Sequence, residues 1–152
     1  MDIQLAQRLS VALLPMARLI RTAVRAAPPL PVVPYAQVEV LRVVQDRPGI
    51  SVGGVAEMLQ LAPNTVSTLV KALVSAGLVD QQAVAGRGRT TTLSLTRKAE
   101  EMIEIWDRRR AEILGDVLDS MSPAAVQQIS DALPHLLELQ QALEEKIADL
   151  RG

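Results

Sequence analysis

Residues 63 to 77, PNTVSTLVKALVSAG, constrain the fold more than any other stretch, because their two ends and their periodicity indicate one helix. A proline at the first helical position needs no backbone N–H, and a glycine readily takes the left-handed conformation that ends a helix. Between these ends, apolar side chains recur at steps of three and four residues: Val66, Leu69, Val70 and Leu73. The sequence therefore predicts a helix from Pro63 to about Ala76, with one face in a hydrophobic core.

The opposite face of this helix has a composition suited to contact with a polyanion. It carries Asn64, Thr65, Ser67, Thr68 and Lys71. Short hydroxyl and amide side chains reach base edges and phosphates in a major groove, and the face has no carboxylate that phosphates would repel. Asn64 and Thr65 also lie in the first turn, where we expect free backbone N–H groups that attract phosphate. An ordinary solvated face is the alternative, although such faces usually carry Glu, Lys and Gln.

The remaining pattern places further helices and one hairpin around this helix. Apolar spacing predicts a helix over residues 3–26, a second from Tyr35 to Gln45, a long helix capped by Thr96 and a last helix from Pro123 nearly to the end. A short helix capped by Ser51 precedes the central helix, and strands are predicted at 79–84 and 90–95. The order α, α, α, α, β, β, α, α indicates a mainly α fold with a small β-hairpin.

The predicted hairpin turns through VAGRGR, in which glycine alternates with arginine. Gly86 and Gly88 allow a tight turn and a close approach to another backbone. We expect Arg87 and Arg89 to extend from this tip toward a phosphate or a minor groove, where the potential is most negative. A plain exposed hairpin is the alternative. The hydroxyl of Ser51 is a further candidate for holding a phosphate.

Charge is distributed unevenly along a chain whose formal net charge is only −1. Residues 61–98 carry five basic side chains and one acid, whereas residues 99–152 carry twelve acids and five bases. A local basic patch is typical of a protein with a polyanionic partner. Aromatic residues are limited to Tyr35 and Trp106, which argues against stacking platforms for single-stranded nucleic acid.

Several functional classes are excluded or disfavoured by what the chain lacks. The absence of cysteine excludes disulfides, thiol sensing and cysteine catalysis, and a single histidine, His135, argues against a zinc site. The sequence has no nucleophile elbow and no phosphate-binding glycine loop at a helix start, so we expect no enzymatic activity, metal or cofactor. Its beginning does not resemble a signal peptide and no apolar run is long enough to span a membrane, so a cytoplasmic location is expected.

The stretch VAEMLQLAPNTVSTLVKALVSAGLV, followed by GRGRTTTLSLT, resembles the MarR family of winged helix-turn-helix transcriptional regulators. The resemblance is strong over residues 38–98 and rests only on helix pattern at both ends of the chain. The wing departs from the family pattern, because Arg87 stands where an Asp usually lies two residues before the arginine retained here as Arg89.

This resemblance implies a single domain over residues 1–152 with two kinds of region. Residues 34–98 would form the winged helix-turn-helix lobe, and residues 1–33 and 99–152 would form helical dimerisation regions. It also implies a homodimer that binds a pseudo-palindromic duplex DNA site, as a ligand-responsive repressor. The implied site for a small effector lies between the lobe and the dimer helices, with Arg18, Arg21 and Tyr35 as polar anchors.

Two alternatives to this interpretation stay open. One is a helical dimerisation or protein-interaction module with a vestigial winged helix. The other is a winged-helix regulator of the PadR type, a class that lacks the long N-terminal helix predicted here.

Overall fold

The computed structural model describes residues 2–26, 32–83 and 91–150. The helices are α1 (Ile3–Ala26), α2 (Tyr35–Asp46), α3 (Val52–Leu59), α4 (Pro63–Ser75), α5 (Arg97–Asp119) and α6 (Pro123–Asp149). The strands are β1 (Ile50–Ser51), β2 (Val79–Ala83) and β3 (Thr91–Leu95). The expected mainly α fold with its hairpin is confirmed, and β1 is an element that the sequence pattern did not predict.

The chain divides into two compact units, Met1–Arg110 and Ala111–Gly152. Helix α5 contributes residues to both units, and α6 lies in the second. The side chain of Ser122 accepts the backbone N–H of Ala125 across 3.3 Å, which caps α6 at its start. Helix α6 has no buried residue along its length.

The hydrophobic core lies in the first unit, between α2, α3, α4, the sheet and the start of α5. Its largest fully buried side chains include Leu41, Leu73, Leu93 and Ile103. Val66, Val70 and Leu73 are fully buried, so the expected core face of α4 is confirmed, with Leu69 partly buried beside it. Burying an aliphatic side chain of this size contributes about 1.5–3 kcal/mol, so this one face fixes how α4 is oriented.

The three strands form an antiparallel sheet in the order β1-β3-β2. Leu93 in the central strand is fully buried and pairs with Ile50 on one side and Gln81 on the other. Strands β2 and β3 form the base of the wing, where Ala83 pairs with Thr91. The tip of the wing, residues 84–90, lies outside the described residues.

Helix α3 begins at Ser51, whose side chain accepts the N–H of Gly54 at 3.1 Å, as its predicted role as a cap requires. Gly54 lies close to strand β1, and a Cβ atom there would be 2.8 Å from Cγ1 of Ile50. The absence of a side chain at this position lets β1 lie against the first turn of α3.

Helices α3 and α4 end with the same backbone geometry. At the end of α4, Gly77 has φ +69°, and the N–H of Leu78 donates to the carbonyl of Leu73 at 2.9 Å. At the end of α3, Gln60 has φ +53°, and the N–H of Leu61 donates to the carbonyl of Ala56 at 3.0 Å. This pattern turns the chain sharply, and it favours glycine because a side chain is strained at positive φ.

Neither a membrane-spanning helix nor a metal-binding cluster occurs in the part of the chain that the structure describes. Within it, no helix combines the length and hydropathy needed to cross a bilayer. The same residues contain no group of three or more His, Cys, Asp or Glu side chains that could hold a metal ion.

Candidate functional site

Helices α3 and α4 form a helix-turn-helix, joined by residues 60–62. The N-cap of α4 is Ala62, which offers no side-chain cap, and Pro63 occupies the first turn. The N–H of Thr65 donates to the carbonyl of Ala62 at 2.9 Å, so the expectation of a free backbone N–H at Thr65 is wrong. The tight first turn uses this N–H internally, whereas the side chain of Thr65 remains exposed.

The polar face of α4 lies outside the core, where the sequence placed it. Asn64, Thr65, Thr68 and Lys71 are exposed, and Ser67 is half-buried. The hydroxyl of Thr68 donates to the carbonyl of Asn64 at 3.0 Å, which leaves its oxygen lone pairs as acceptors. Helix α4 contains no acidic residue, so the whole face presents amide, hydroxyl and ammonium groups.

Ser51 connects this helix-turn-helix to the sheet. It caps α3 and pairs with Thr92 of the central strand. Its oxygen accepts the Gly54 N–H, and this bond does not use the hydroxyl proton, which could be donated to a phosphate. The other two predicted DNA contacts, Arg87 and Arg89, lie outside the described residues.

Two of the basic side chains between residues 61 and 98 have partners within the protein. Arg97 pairs with Glu101 one turn further along α5, at 2.9 Å. The Nζ atom of Lys98 donates to the carbonyl of Ala76 at 2.9 Å and so supports the end of α4. Among the basic residues of this segment that the structure describes, Lys71 is therefore the one that lies on the polar face of α4.

A cavity of about 580 Å³ lies within the first unit, between α1, α2 and α5. It is lined by apolar side chains from all three helices and by several arginines. Arg18, Arg21 and Tyr35, the three predicted polar anchors, all line it. The cavity is also lined by four charged residues that the sequence pattern did not indicate: Arg25, Glu39, Arg42 and Arg110.

Tyr35 is the first residue of α2, and its ring contacts Arg21 of α1. The guanidinium carbon of Arg21 is 4.8 Å from the centre of its ring, a cation–π distance. Burial, followed by a hydrogen bond with Glu39 and the charge of that carboxylate, raises the pKa of the Tyr35 hydroxyl, although Arg21 acts in the opposite direction. The hydroxyl therefore remains protonated at neutral pH.

Asp107 joins two arginines of the cavity wall. Its carboxylate accepts two hydrogen bonds from Arg42 of α2, at 2.5 and 3.0 Å, and lies 3.2 Å from Arg110. Hydrogen bonding from Arg42, opposed by partial burial and assisted by the charges of Arg42 and Arg110, lowers the pKa of the Asp107 carboxyl. In the sequence, the position of Asp107 next to the buried Trp106 is the only hint that this carboxylate lies near the core. Nothing in the sequence indicates its partner Arg42, which is 65 residues away.

The two long terminal helices expose large apolar side chains. Helix α1 has no buried residue, and Leu5, Met16 and Leu19 are about half exposed or more. On α6, Leu133, Leu137 and Leu143 are exposed by 52%, 64% and 55%. Apolar surface of this extent is typical of a protein–protein interface.

Comparison with known proteins agrees with this geometry. A sequence model described as MarR family matches residues 33–90. The transcriptional regulator Tm0710 of Thermotoga maritima is 23% identical with a TM-score of 0.66, over 93% of this chain and 98% of its own. A Pseudomonas aeruginosa PA01 protein, proposed to be a transcriptional regulator, is 22% identical with a TM-score of 0.78, over 92% and 95%. FabT of Streptococcus pneumoniae, solved in complex with DNA, is 18% identical with a TM-score of 0.66, over 91% and 99%.

No curated protein sequence matches the chain significantly. The three solved structures are each less than 25% identical to this chain in sequence, so the likeness establishes its fold alone. The matched segment contains α2, the helix-turn-helix and β2, where the sequence resemblance was strongest. Residues 33–90 therefore match the MarR family model, and the chain as a whole shares the winged helix-turn-helix fold of these solved structures.

Proposed function

We propose that this protein binds a pseudo-palindromic duplex DNA site as a homodimer and represses transcription until a small anion occupies its cavity. The observation that carries the DNA-binding part is the exposed, acid-free polar face of α4. Helix α4 is oriented by three fully buried side chains on its other face, so the polar face is held outward by the core. The DNA complex of FabT, which has the same fold, supports this proposal.

The side chains on this face divide into two roles in the proposed complex. Asn64, Thr65, Ser67 and Thr68 would contact base edges and nearby phosphates in a major groove. Lys71 would neutralise a phosphate, and Ser51 would donate its hydroxyl to another. Arg87 and Arg89 of the wing would reach the flanking minor groove.

The exposed apolar faces of α1 and α6 support a homodimer, because a second copy would remove them from water. A two-fold pair would present two copies of α4 to successive major grooves about 10 base pairs apart. The binding site would then consist of two inverted half-sites.

The cavity supports the effector part of the proposal. Its volume of about 580 Å³ lies within the range of small-molecule pockets. Arg18, Arg21 and Tyr35 supply positive charge, a hydroxyl and an aromatic face to an apolar wall, a combination that suits an amphipathic anion. Such a ligand would regulate DNA binding only by the difference in its affinity for the two states of the protein.

The test is selection of bound sequences from random duplex DNA with the full chain, followed by gel shifts. We expect enrichment of inverted half-sites with centres about 10 base pairs apart. Lys71→Glu should abolish enrichment by placing a carboxylate on the polar face of α4, whereas Lys146→Glu, with the same charge change on α6, should retain it. Failure of the wild-type chain to enrich any sequence would refute the proposal and favour the protein-interaction alternative.

A further inference from the structure

We propose that Asp107 is an internal competitor for the effector, holding Arg42 and Arg110 on the cavity wall until a ligand carboxylate replaces it. This inference rests on the proposed role of the cavity as an effector site. It assigns to Asp107, which does not itself line the cavity, the control of ligand affinity.

The geometry places one carboxylate between two cations. Asp107 accepts two hydrogen bonds from Arg42 and lies 3.2 Å from Arg110, and both arginines line the cavity. The group of three carries one net positive charge. The side chain of Arg42 is 25% exposed and that of Arg110 is 44% exposed, and both residues are part of the cavity lining.

A ligand carboxylate presents the same acceptor chemistry as Asp107. Arginine binds a carboxylate through two parallel N–H donors, and a guanidinium that is fully engaged with one carboxylate has less to offer a second. An entering anion therefore gains an interaction with Arg42 or Arg110 only as Asp107 gives one up. Asp107 therefore keeps the affinity of the cavity for anions lower than it would be if Arg42 and Arg110 were not already paired with a carboxylate.

The exchange has a consequence for the fold, because Arg42 lies on α2 and Asp107 on α5. Helix α2 packs against both α3 and α4, which form the helix-turn-helix. Replacing the Arg42–Asp107 pair with a ligand contact would remove a link between α2 and α5. The ligand would thereby change the restraint on the lobe that carries the polar face of α4.

Another mode of binding is available to an anion in this cavity. Arg18, Arg21 and Arg25 of α1 also line it. An anion held only by these three would leave Asp107 in place, and its affinity would not depend on the charge at residue 107.

Trp106 provides a direct measurement, because it is the only tryptophan of the chain and lines the cavity. The probe is hexanoate, which does not absorb where tryptophan is excited, and 1-hexanol serves as its uncharged counterpart. We expect Asp107→Asn to bind hexanoate roughly five- to tenfold more tightly than the wild type, because the competing charge is gone. The affinity for 1-hexanol should be unchanged. Glu101→Gln removes another arginine-paired carboxylate of α5, outside the cavity, and should bind both probes as the wild type does.

A second variant keeps the test decisive if Asp107→Asn does not fold. Arg110→Gln leaves one guanidinium for Asp107 and the ligand to share, so hexanoate affinity should fall about fivefold. Equal hexanoate affinity in the wild type and Asp107→Asn would overturn the inference and assign the anion to the α1 arginines, with the effector cavity retained. Weaker binding by Asp107→Asn would also overturn it. Absence of any change in Trp106 fluorescence with hexanoate in the wild type would refute the effector cavity as well.

Discussion

The hydroxyl of Thr96 donates a hydrogen bond to the backbone carbonyl of Gly77 across 2.8 Å, which joins the end of α4 to the start of α5. The oxygen of the same hydroxyl accepts the N–H of Ala99 at 3.2 Å and so caps α5. With Lys98 donating to Ala76, two side chains of the α5 start satisfy carbonyls at the end of α4. The placement of the candidate DNA-binding helix therefore depends on this junction.

Replacing Thr96 with valine should lower the free energy of unfolding by about 1–2 kcal/mol, because the helix cap and the donor to Gly77 are lost while side-chain shape is kept. Urea denaturation measures the change. Thr96→Ser retains the hydroxyl and should lose less than half as much. An equal loss in both variants would show that the hydroxyl has no such role.

Gln60→Gly should raise the free energy of unfolding by about 0.5–1 kcal/mol, because glycine adopts the observed φ of +53° without strain. The matched control, Gln60→Ala, keeps a Cβ at positive φ and should give no gain. Thermal or urea denaturation compares the three proteins. A gain of the same size with alanine would assign the effect to the lost glutamine side chain instead.

Asp107→Asn should destabilise the protein at neutral pH by about 1 kcal/mol, a value set by the partial exposure of its pair with Arg42. Because the pKa of Asp107 is lowered in the folded state, its contribution is present above the unfolded value of about 3.9 and is lost as pH falls through the folded value. The difference between wild type and variant should therefore close below about pH 4. Glu101→Gln, which breaks the exposed pair with Arg97, should leave the stability the same as that of the wild type at all of these pH values.

Lys71→Gln should weaken binding to the selected DNA and lower the slope of log affinity against log salt by about 1, because one phosphate contact is lost. Fluorescence anisotropy at salt concentrations between about 50 and 200 mM gives both the affinity and its salt slope. Lys146→Gln, in the last turn of α6, is the control and should leave the slope unchanged. An unaltered slope for Lys71→Gln would exclude a phosphate contact by this side chain.

Leu137→Glu should raise the dimer dissociation constant by about tenfold or more, because it places a carboxylate on the exposed apolar face of α6. Gln128→Glu introduces the same charge nine residues earlier, on the opposite side of the helix, and should leave the dimer intact. Sedimentation equilibrium at several concentrations measures both. A wild-type mass equal to one chain would contradict the homodimer itself.

The bounds of α4 illustrate which features local chemistry decides. Pro63 starts the helix because its φ is fixed at a helical value, and Gly77 ends it because glycine adopts positive φ readily. Neither effect depends on distant contacts. The apolar spacing between them identified the buried face, and the polar face followed as its complement. The cap residues Ser51 and Thr96 are recognisable in the sequence for the same reason.

The pairing of Arg42 with Asp107, the two residues of β1 and the gathering of α1 and α2 side chains around one cavity were not visible in the sequence. A strand of two residues carries no periodicity, and it exists because the central strand supplies hydrogen-bond partners from more than 40 residues further along the chain. An arginine and an aspartate 65 residues apart carry no mark of each other. Local propensities act over a few residues and determined the helices and their faces, whereas contacts between distant segments depend on how the core packs, which only the tertiary structure decided.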